Sequence, residues 1–215
     1  NSGEGGGGVV PFRASVSDTW STSSSVCVSL KVNSGTLRVG AKVKVLPAKE
    51  EAVVKSIESR GRPVKEAPTG TFVDSLQLAG VEKQVLHVGA VLSEEPLPQI
   101  GDTFLVQLRV FDVTMPIVQG LQVLVHAHTC TESGTVMRLE AQLSPSTGLR
   151  LARKPRALTK GMVAVITLKT ARALAYELKG APGSLGALSR VILRHAGSTV
   201  AAGVIIGSLP PLAPT

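Results

Sequence analysis

The chain has 215 residues, of which 43% are hydrophobic but only 3% aromatic, and its formal net charge is +8. This length fits two domains of about 100 residues, each with an aliphatic core. The scarcity of aromatic residues argues against nucleic-acid binding by base stacking. The sequence contains no run of about 18 apolar residues, the length that a membrane-spanning helix needs, and its start lacks the pattern of a signal peptide. No membrane partner is therefore expected.

The positive charge is concentrated near the end of the chain. Residues 141–215 contain 10 Lys and Arg but one acidic residue, Glu177, whereas residues 1–140 are nearly balanced. A surface of one sign raises the local concentration of polyanions, so nucleic acid or a partner with an acidic face is expected. For the tightest group of these charges, the alternative interpretation is a solvated loop whose lysines and arginines only keep the chain soluble. This basic cluster comprises Arg150, Arg153, Lys154, Arg156 and Lys160.

Short stretches of alternating apolar and polar residues in the first half predict half-buried strands. The opening residues 1–8 contain five glycines and are interpreted as a flexible linker or an expression scar outside the fold. Alternation is clearest over 26–32, and turn residues follow at 33–35, as in the hairpins of a barrel. Residues 9–95 are therefore predicted to form an antiparallel β-barrel. Its further strands are expected at 37–39 and 43–45, on either side of a turn at Gly40, and at 53–57, 71–78 and 88–92.

Two prolines, Pro96 and Pro98, remove hydrogen-bond donors and mark a domain boundary. Residues 96–207 are predicted to form a second antiparallel β-barrel, which makes the chain all-β. Residues 170–179, however, have the composition and apolar spacing of a helix. The Pro-rich residues 208–215 are expected to form a surface tail. The strands of the second barrel are expected at 104–111, 122–128, 135–139, 162–168 and 199–206.

Residues with catalytic or metal-binding chemistry are few. Cys27 and Cys130 have no second cysteine at metal or redox spacing, which is typical of a reducing compartment and most simply of the cytoplasm. His126 and His128 could supply two zinc ligands from one side of a predicted strand, but no further ligand has a suitable spacing. No GxxxxGK[ST] phosphate loop occurs, so no catalytic residue, cofactor or metal is predicted in this chain. An enzyme with an unrecognised barrel site is the alternative.

Ordered motifs in the second half resemble a known family. They are similar to the C-terminal barrel of the translational GTPases related to eukaryotic elongation factor one alpha and release factor three, and most of all to that of the Hbs-type ribosome-rescue GTPases. In the first half, the segments at 10–13 and 35–43 resemble the middle domain of the same family. The motifs of the second half are Lys154-Pro155-Arg156-x-Leu158-Thr159-Lys160-Gly161, Arg172 to Leu178, Leu185-Gly186, and Arg194-x-x-Gly197-Ser198-Thr199-Val200-Ala201-Ala202-Gly203-Val204-Ile205.

The resemblance covers residues 9–207 and implies two β-barrels, domains two and three of the family, with a GTPase domain and its GTP and magnesium upstream. It also makes residues 171–178 a barrel strand, against their local helix propensity. Two departures from the family pattern stand out. Ser23-Ser24-Ser25 replaces a Gly-x-Gly, which argues against the pocket for the aminoacyl end of tRNA and favours a protein partner. The Gly-Arg-Phe-x-Leu-Arg strand appears as 190–194, after an insertion of about three residues.

The resemblance implies a binding module for translation and mRNA surveillance. It would hold a Pelota-like or class one release-factor-like protein and dock on the ribosome beside its own GTPase domain, as a cytoplasmic monomer. The basic cluster would neutralise phosphates of ribosomal RNA or mRNA. Binding of tRNA, as in elongation factors, is the alternative. Partner contact is expected along the strand Arg190, Val191, Ile192, Leu193 and Arg194, where alternation turns Val191 and Leu193 inward and leaves Ile192 as an apolar anchor between arginines.

Overall fold

A computed structural model describes residues 10–22, 25–113, 115–182 and 184–209. The described chain is 62% strand and 3% helix. It divides into two compact units, and the break between Leu97 and Pro98 lies close to the predicted boundary. The first unit also includes Gly180–Leu185. The predicted linker at 1–8 and most of the predicted tail lie outside the described residues.

The first unit contains nine described strands, and burial alternates along several of them, as expected for a barrel wall. Along residues 26–34, for example, Val28, Leu30 and Val32 are fully buried. The strands are β1 (Arg13–Ser21), β2 (Val26–Ser34), β3 (Thr36–Arg38), β4 (Lys42–Leu46), β5 (Glu50–Ser59), β6 (Arg62–Val64), β7 (Glu66–Pro68), β8 (Phe72–Ala79) and β9 (Val91–Ser93).

Six of these strands close into a barrel. They follow the order β4–β9–β1–β2–β8–β5, and β5 pairs back with β4. Strand β6 extends from β5, and β3 pairs with β7 in a separate small sheet. Aliphatic side chains fill the interior, and Phe12 is the one aromatic residue of this described core. The low aromatic content of the sequence is therefore reflected in a core that is packed almost entirely from aliphatic side chains.

The buried side chain of Arg13 links the start of β1 to the end of β9 and the segment that follows it. The guanidinium of Arg13 donates hydrogen bonds to the carbonyl oxygen of Phe12 at 2.8 Å, to Ser93 Oγ at 2.8 Å and to the carbonyl oxygen of Glu94 at 2.7 Å. It also donates to the carbonyl oxygen of Pro96. Buried charges are tolerated when their donors are satisfied in this way. The chain segment that leads out of the first barrel is thus fixed to its first strand.

The second unit contains seven described strands. Their inward residues form a second aliphatic core, which includes Phe104 and Tyr176 as its aromatic members. The strands are β10 (Gln99–Val110), β11 (Gln122–Ala127), β12 (Cys130–Leu143), β13 (Arg150–Arg153), β14 (Val163–Tyr176), β15 (Arg190–His195) and β16 (Ser198–Ser208).

This unit also closes into a barrel of six strands. The order is β11–β15–β16–β10–β14–β12, and β12 pairs back with β11, while β13 extends from β12. All pairs are antiparallel. The predicted all-β fold with two consecutive antiparallel β-barrels is therefore confirmed. No helix within the described ranges has the length and apolarity that a membrane span requires.

Strand β14 contains the segment whose composition favours a helix. It runs without interruption to Tyr176, and its last three residues pair with Gln99–Gly101 of β10. The Tyr176 hydroxyl donates to Gln99 Oε1 at 2.9 Å, and its ring meets that of Phe104 edge-on at 4.9 Å between centroids. These tertiary contacts override the local helix preference. The strand interpretation is thus correct up to Tyr176.

Gly203, the last glycine of the motif at 197–203, lies where strands β16 and β10 approach each other closely. A Cβ atom on Gly203 would lie 2.8 Å from the Cα atom of Leu108 in β10 and closer still to the carbonyl oxygen of Gln107. Real side chains do not make such contacts with backbone. A residue without a Cβ is therefore required where β16 packs against β10.

Candidate protein and RNA interface

Strand β15 alternates between the barrel interior and the surface, as predicted. Val191 and Leu193 are 2% and 0% exposed and belong to the core, so their side chains cannot contact a partner. Arg190, Ile192 and Arg194 point outward. Of the five residues predicted to bind a partner, these three remain available.

The neighbouring strand β11 adds an apolar residue that the sequence reasoning missed. In the register of the two strands, Leu124 is opposite Arg194, and His126 is opposite Ile192. The side chains of Leu124 and Ile192 are 48% and 43% exposed, on the same outer surface. An apolar residue at an outward strand position, between Val123 and Val125, was the available signal. We call Leu124, Arg190, Ile192 and Arg194 the β11/β15 face.

Local contacts hold one end of this face. The Nη2 atom of Arg194 donates to the carbonyl oxygen of Gly197 at 2.6 Å, and His195 Nδ1 lies 2.8 Å from the carbonyl oxygen of Gln122. A shallow groove of about 430 Å³ lies beside these contacts. Of the described residues that line the groove, none is acidic; they include Gln122, Leu124, Ser133, Arg194, His195 and Gly197.

The insertion predicted before β15 forms a short 3-10 turn at Ala187–Ser189. Leu188 and Ser189 are buried, and Ser189 Oγ donates to the carbonyl oxygen of Gly186 at 3.0 Å. Gly186 has a φ of 75°, a left-handed conformation that favours glycine. The turn therefore fixes where β15 begins.

The basic cluster lies on and after β13. Arg150 and Arg153 are exposed on this strand, which pairs with Ala141–Leu143 of β12. Lys160 Nζ forms an ion pair with Asp112 Oδ2 at 2.6 Å, and both side chains are largely exposed. For the other four cations, no ion pair is formed with any residue in the described part of the chain. The cluster thus retains most of its charge.

Two grooves lie next to the basic cluster, and both bring in a cation from β12 that the sequence did not single out. Arg138 lines the larger groove, of about 850 Å³, and the smaller one, of about 400 Å³. Lys154 also lines both grooves, whereas Arg156 lines the smaller one. Residues 12 or more positions apart thus converge into one cationic surface, which raises its local potential.

The two histidines considered as zinc ligands do not share a strand. Strand β11 ends at Ala127, and His128 lies in the following turn with a φ of 44°. The Nδ1 atom of His126 is 2.9 Å from the hydroxyl of Thr131. Within the ranges that the structure covers, no group of three His, Cys, Asp or Glu residues could hold a metal ion.

Both cysteines are buried and unbridged. Burial and the nearby carboxylate of Glu132, whose Oε1 accepts a hydrogen bond from the sulfur at 3.6 Å, together raise the pKa of the Cys130 thiol to about 11. A thiol with a raised pKa is a poor nucleophile. Cys130 is therefore a packing residue of the second core rather than a reactive group.

Comparison with known proteins assigns the second unit to a family. Residues 103–206 match the model of the GTP-eEF1A C-terminal domain-like family. The chain is 34% identical over 197 residues to Protein HBS1 of Drosophila melanogaster, covering 91% of this chain and 29% of that protein. It is 31% identical over 203 residues to elongation factor 1-alpha of Archaeoglobus fulgidus, covering 93% of this chain and 47% of the relative. The chain thus spans less than half the length of these relatives.

Solved structures share the two-barrel fold. A crystal structure of Sup35 with GDP has a TM-score of 0.81 and 22% identity, and it covers 93% of this chain and 48% of that chain. The structure of Sup35 with GMPPNP has a TM-score of 0.83 and 21% identity, with coverages of 94% and 48%. Residues 103–206 belong to the GTP-eEF1A C-terminal domain-like family, and the chain as a whole is similar to the C-terminal barrels of translational GTPases of the HBS1 and elongation factor 1-alpha group.

Proposed function

We propose that this chain is the partner-binding and ribosome-docking region of a translational GTPase of the ribosome-rescue and mRNA-surveillance type. In this role it holds a Pelota-like protein that mimics the shape of tRNA. The supporting observation is the β11/β15 face, where Leu124 and Ile192 expose apolar surface and Arg190 and Arg194 flank it. An apolar centre with arginines is a common composition of protein interfaces.

The rescue subfamily is favoured by the similarity to Protein HBS1, because the identity of 34% exceeds the 29% and 31% found with two elongation factors 1-alpha. Two other partner classes follow from the same superfamily. An elongation factor would bind aminoacylated tRNA, and a factor of the release factor three type would bind a class one release factor. The partner titrations described below separate these three possibilities.

Docking on the ribosome is proposed to use the basic cluster. Arg150, Arg153, Lys154 and Arg156 are exposed cations without an ion pair in the described chain, and Lys160 shares its charge with Asp112. Such cations neutralise phosphates regardless of base sequence, so their binding to ribosomal RNA or mRNA weakens steeply with salt. This function would place the protein in the cytoplasm.

GTP and magnesium are proposed to be bound by a separate GTPase domain rather than by these barrels. The sequence has no GxxxxGK[ST] loop to hold phosphates, and the described residues form no cluster of metal ligands. No chemical step is therefore assigned to this chain. GTP hydrolysis by the purified chain would contradict this division of roles.

The test is calorimetric titration of the chain with Pelota of the same organism, with a class one release factor, and with deacylated and aminoacylated tRNA at low and high salt. We expect binding to Pelota to persist at high salt, because salt does not screen the apolar contacts at the centre of the β11/β15 face. Binding to aminoacylated tRNA alone would make the chain an elongation-factor region. Preference for the release factor would assign it to the release factor three type.

A matched pair of variants tests the face itself. Ile192→Asp introduces a charge at the centre of the β11/β15 face and is expected to weaken Pelota binding at least about tenfold. Phe72→Asp changes a side chain that is 51% exposed in the first unit and is expected to leave binding unchanged. Equal binding by both variants, with folding verified by circular dichroism, would reject the face as the partner site.

A further inference from the structure

The larger groove beside β13 has a floor that contact with phosphates does not explain. Its lining combines four cations with aliphatic side chains from four strands of the second barrel. Leu105 of β10, Val165 of β14 and Ile206 of β16 occupy outward strand positions, where a barrel in water normally carries polar residues. Ile206 remains 38% exposed. Phosphates gain nothing from contact with such a surface, because burial of apolar area requires an apolar ligand.

The rim of this groove is cationic. Arg138, Arg150, Arg153 and Lys154 line it, and Glu140 is the one acidic residue among the described lining residues. The carboxylate of Glu140 accepts a hydrogen bond from the Thr167 hydroxyl at 2.6 Å and forms no ion pair with the rim in the described structure. The four cations are therefore free to pair with carboxylates of a ligand. Arginine is suited to this role, since its guanidinium can bind a carboxylate with two parallel hydrogen bonds.

Two features of the backbone shape the groove. Strand β13 pairs with the end of β12 across a register shift between Gln142 and Leu143, which bends this edge of the sheet. Lys154 then adopts a left-handed conformation with a φ of 45°, while its backbone N–H donates to the carbonyl oxygen of Glu140 at 3.1 Å. The rim is thus anchored to the barrel by backbone hydrogen bonds and does not depend on the ligand for its position.

We infer that this groove binds an acidic segment of a protein partner, whose aliphatic or aromatic side chains cover the floor while its carboxylates pair with the rim. The volume of about 850 Å³ suits a short stretch of polypeptide. Charge complementarity identifies the partner chemistry, because four cations surround an apolar floor. The groove is distinct from the β11/β15 face, whose residues do not line it.

The inference also relates the groove to RNA, and in this respect it rests on the proposed ribosomal contact. Arg150, Arg153 and Lys154 belong both to the basic cluster and to the rim of the groove. An acidic segment bound there neutralises the same cations that would contact phosphates. Peptide and RNA are therefore expected to compete, so the partner segment would control the access of this surface to the ribosome.

The test uses fluorescence anisotropy of the full chain with three probes. The first is a labelled peptide in which Leu and Glu alternate, the second is the same peptide with every Leu replaced by Ser, and the third is a single-stranded oligouridine. We expect the Leu-containing peptide to bind at least about tenfold more tightly than the Ser-containing peptide, because it alone covers the floor. Excess unlabelled oligouridine should displace it.

Two variants with equal exposure assign the binding to the groove. Ile206→Ser, which removes apolar surface without adding charge, should weaken the Leu-containing peptide about tenfold and affect oligouridine much less. Val118→Ser alters another side chain that is 38% exposed, outside both grooves, and should leave all three probes unchanged. Reversal of the rim charge by Arg150→Glu with Arg153→Glu should weaken both the peptide and oligouridine.

Several outcomes would overturn the inference. Equal affinity for the two peptides would show a surface that binds any polyanion, and absence of peptide binding up to about 1 mM would exclude the site. Peptide binding that requires deletion of residues 210–215 would identify that segment of the chain itself as the occupant. If the peptide binds as expected but oligouridine does not bind, the groove is retained, while the proposed RNA contact fails.

Discussion

The guanidinium of Arg172 forms an ion pair with the carboxylate of Glu132, and the Glu132 side chain is almost wholly buried. Nε and Nη2 donate to Glu132 Oε1 at 2.9 Å and 2.5 Å. The Glu132 side chain is 7% exposed, whereas that of Arg172 is 69% exposed. An exposed cation thus compensates a carboxylate at an inward position of β12. Burial of a charge is tolerated when such a partner is present and costly when it is lost.

Replacement Arg172→Ala is expected to lower the free energy of unfolding by about 1–3 kcal/mol. The lower end reflects the exposure of the arginine, because water can partly take its place. Urea denaturation gives the measurement, and Glu132→Gln provides the second arm of a double-mutant cycle. Arg172→Ala should cost less in the Glu132→Gln background. An equal cost in both backgrounds would show that the ion pair does not matter.

Gly203→Ala is expected to lower the free energy of unfolding by about 2–3 kcal/mol, because the new methyl group meets the backbone of Gln107 and Leu108. Gly207→Ala on the same strand is the control. There, a Cβ would lie 3.4 Å from Leu105 Cδ1, the end of a flexible side chain. Its cost should stay below about 1 kcal/mol. Thermal or urea unfolding of both variants measures the difference.

The stability of the second unit should fall in mild acid because of His128. Burial, partly offset by the backbone of Ala175, lowers the pKa of His128 from 6.5 to about 4. Between these values the unfolded chain binds a proton that the folded chain does not, so the contribution of His128 to stability is lost as pH falls. The slope is up to about 1.4 kcal/mol per pH unit.

Urea denaturation at several pH values between the two pKa values measures this effect, and His128→Asn provides the comparison. The variant is expected to lose stability less steeply as pH falls from 6.5 to about 4. An unchanged slope in the variant would show that the proton is taken up elsewhere.

Leu124→Asp is expected to weaken binding of a Pelota-like partner at least about tenfold, because it places a charge beside Ile192 in the centre of the β11/β15 face. Leu149→Asp is the matched control, since Leu149 is 69% exposed and lies outside this face. Calorimetry with both variants compares them. A loss of affinity in the control but not in Leu124→Asp would place the partner elsewhere.

Strand alternation in the sequence was sufficient to predict which side of β15 each residue occupies, because the period of two is a local property of extended backbone. Val191 and Leu193 face inward, and Arg190, Ile192 and Arg194 face outward, as expected. The end of β14 could not be predicted locally. Its residues favour a helix, and their pairing with Gln99–Gly101 depends on segments more than 70 positions apart.

Residues of the candidate sites that depend on strand pairing were missed for the same reason. Leu124 joins Ile192 only through the register of β11 and β15, and Arg138 joins the basic cluster only through the fold of β12 and β13. Likewise, the ion pair of Lys160 with Asp112 links residues 48 positions apart. The composition predicted a cationic second half but not which of its charges would be neutralised.

Closure of both barrels limits the ways in which two copies of the chain could join. Strands β6 and β13 each attach to a barrel through one neighbour, so they carry unpaired backbone edges. Strand β6 contains Arg62 and Pro63, and β13 begins and ends with arginine. Proline lacks a hydrogen-bond donor and like charges repel, so these edges resist strand exchange between molecules. These two edges therefore discourage self-association, and the cationic edge at β13 is left for ligands of opposite charge.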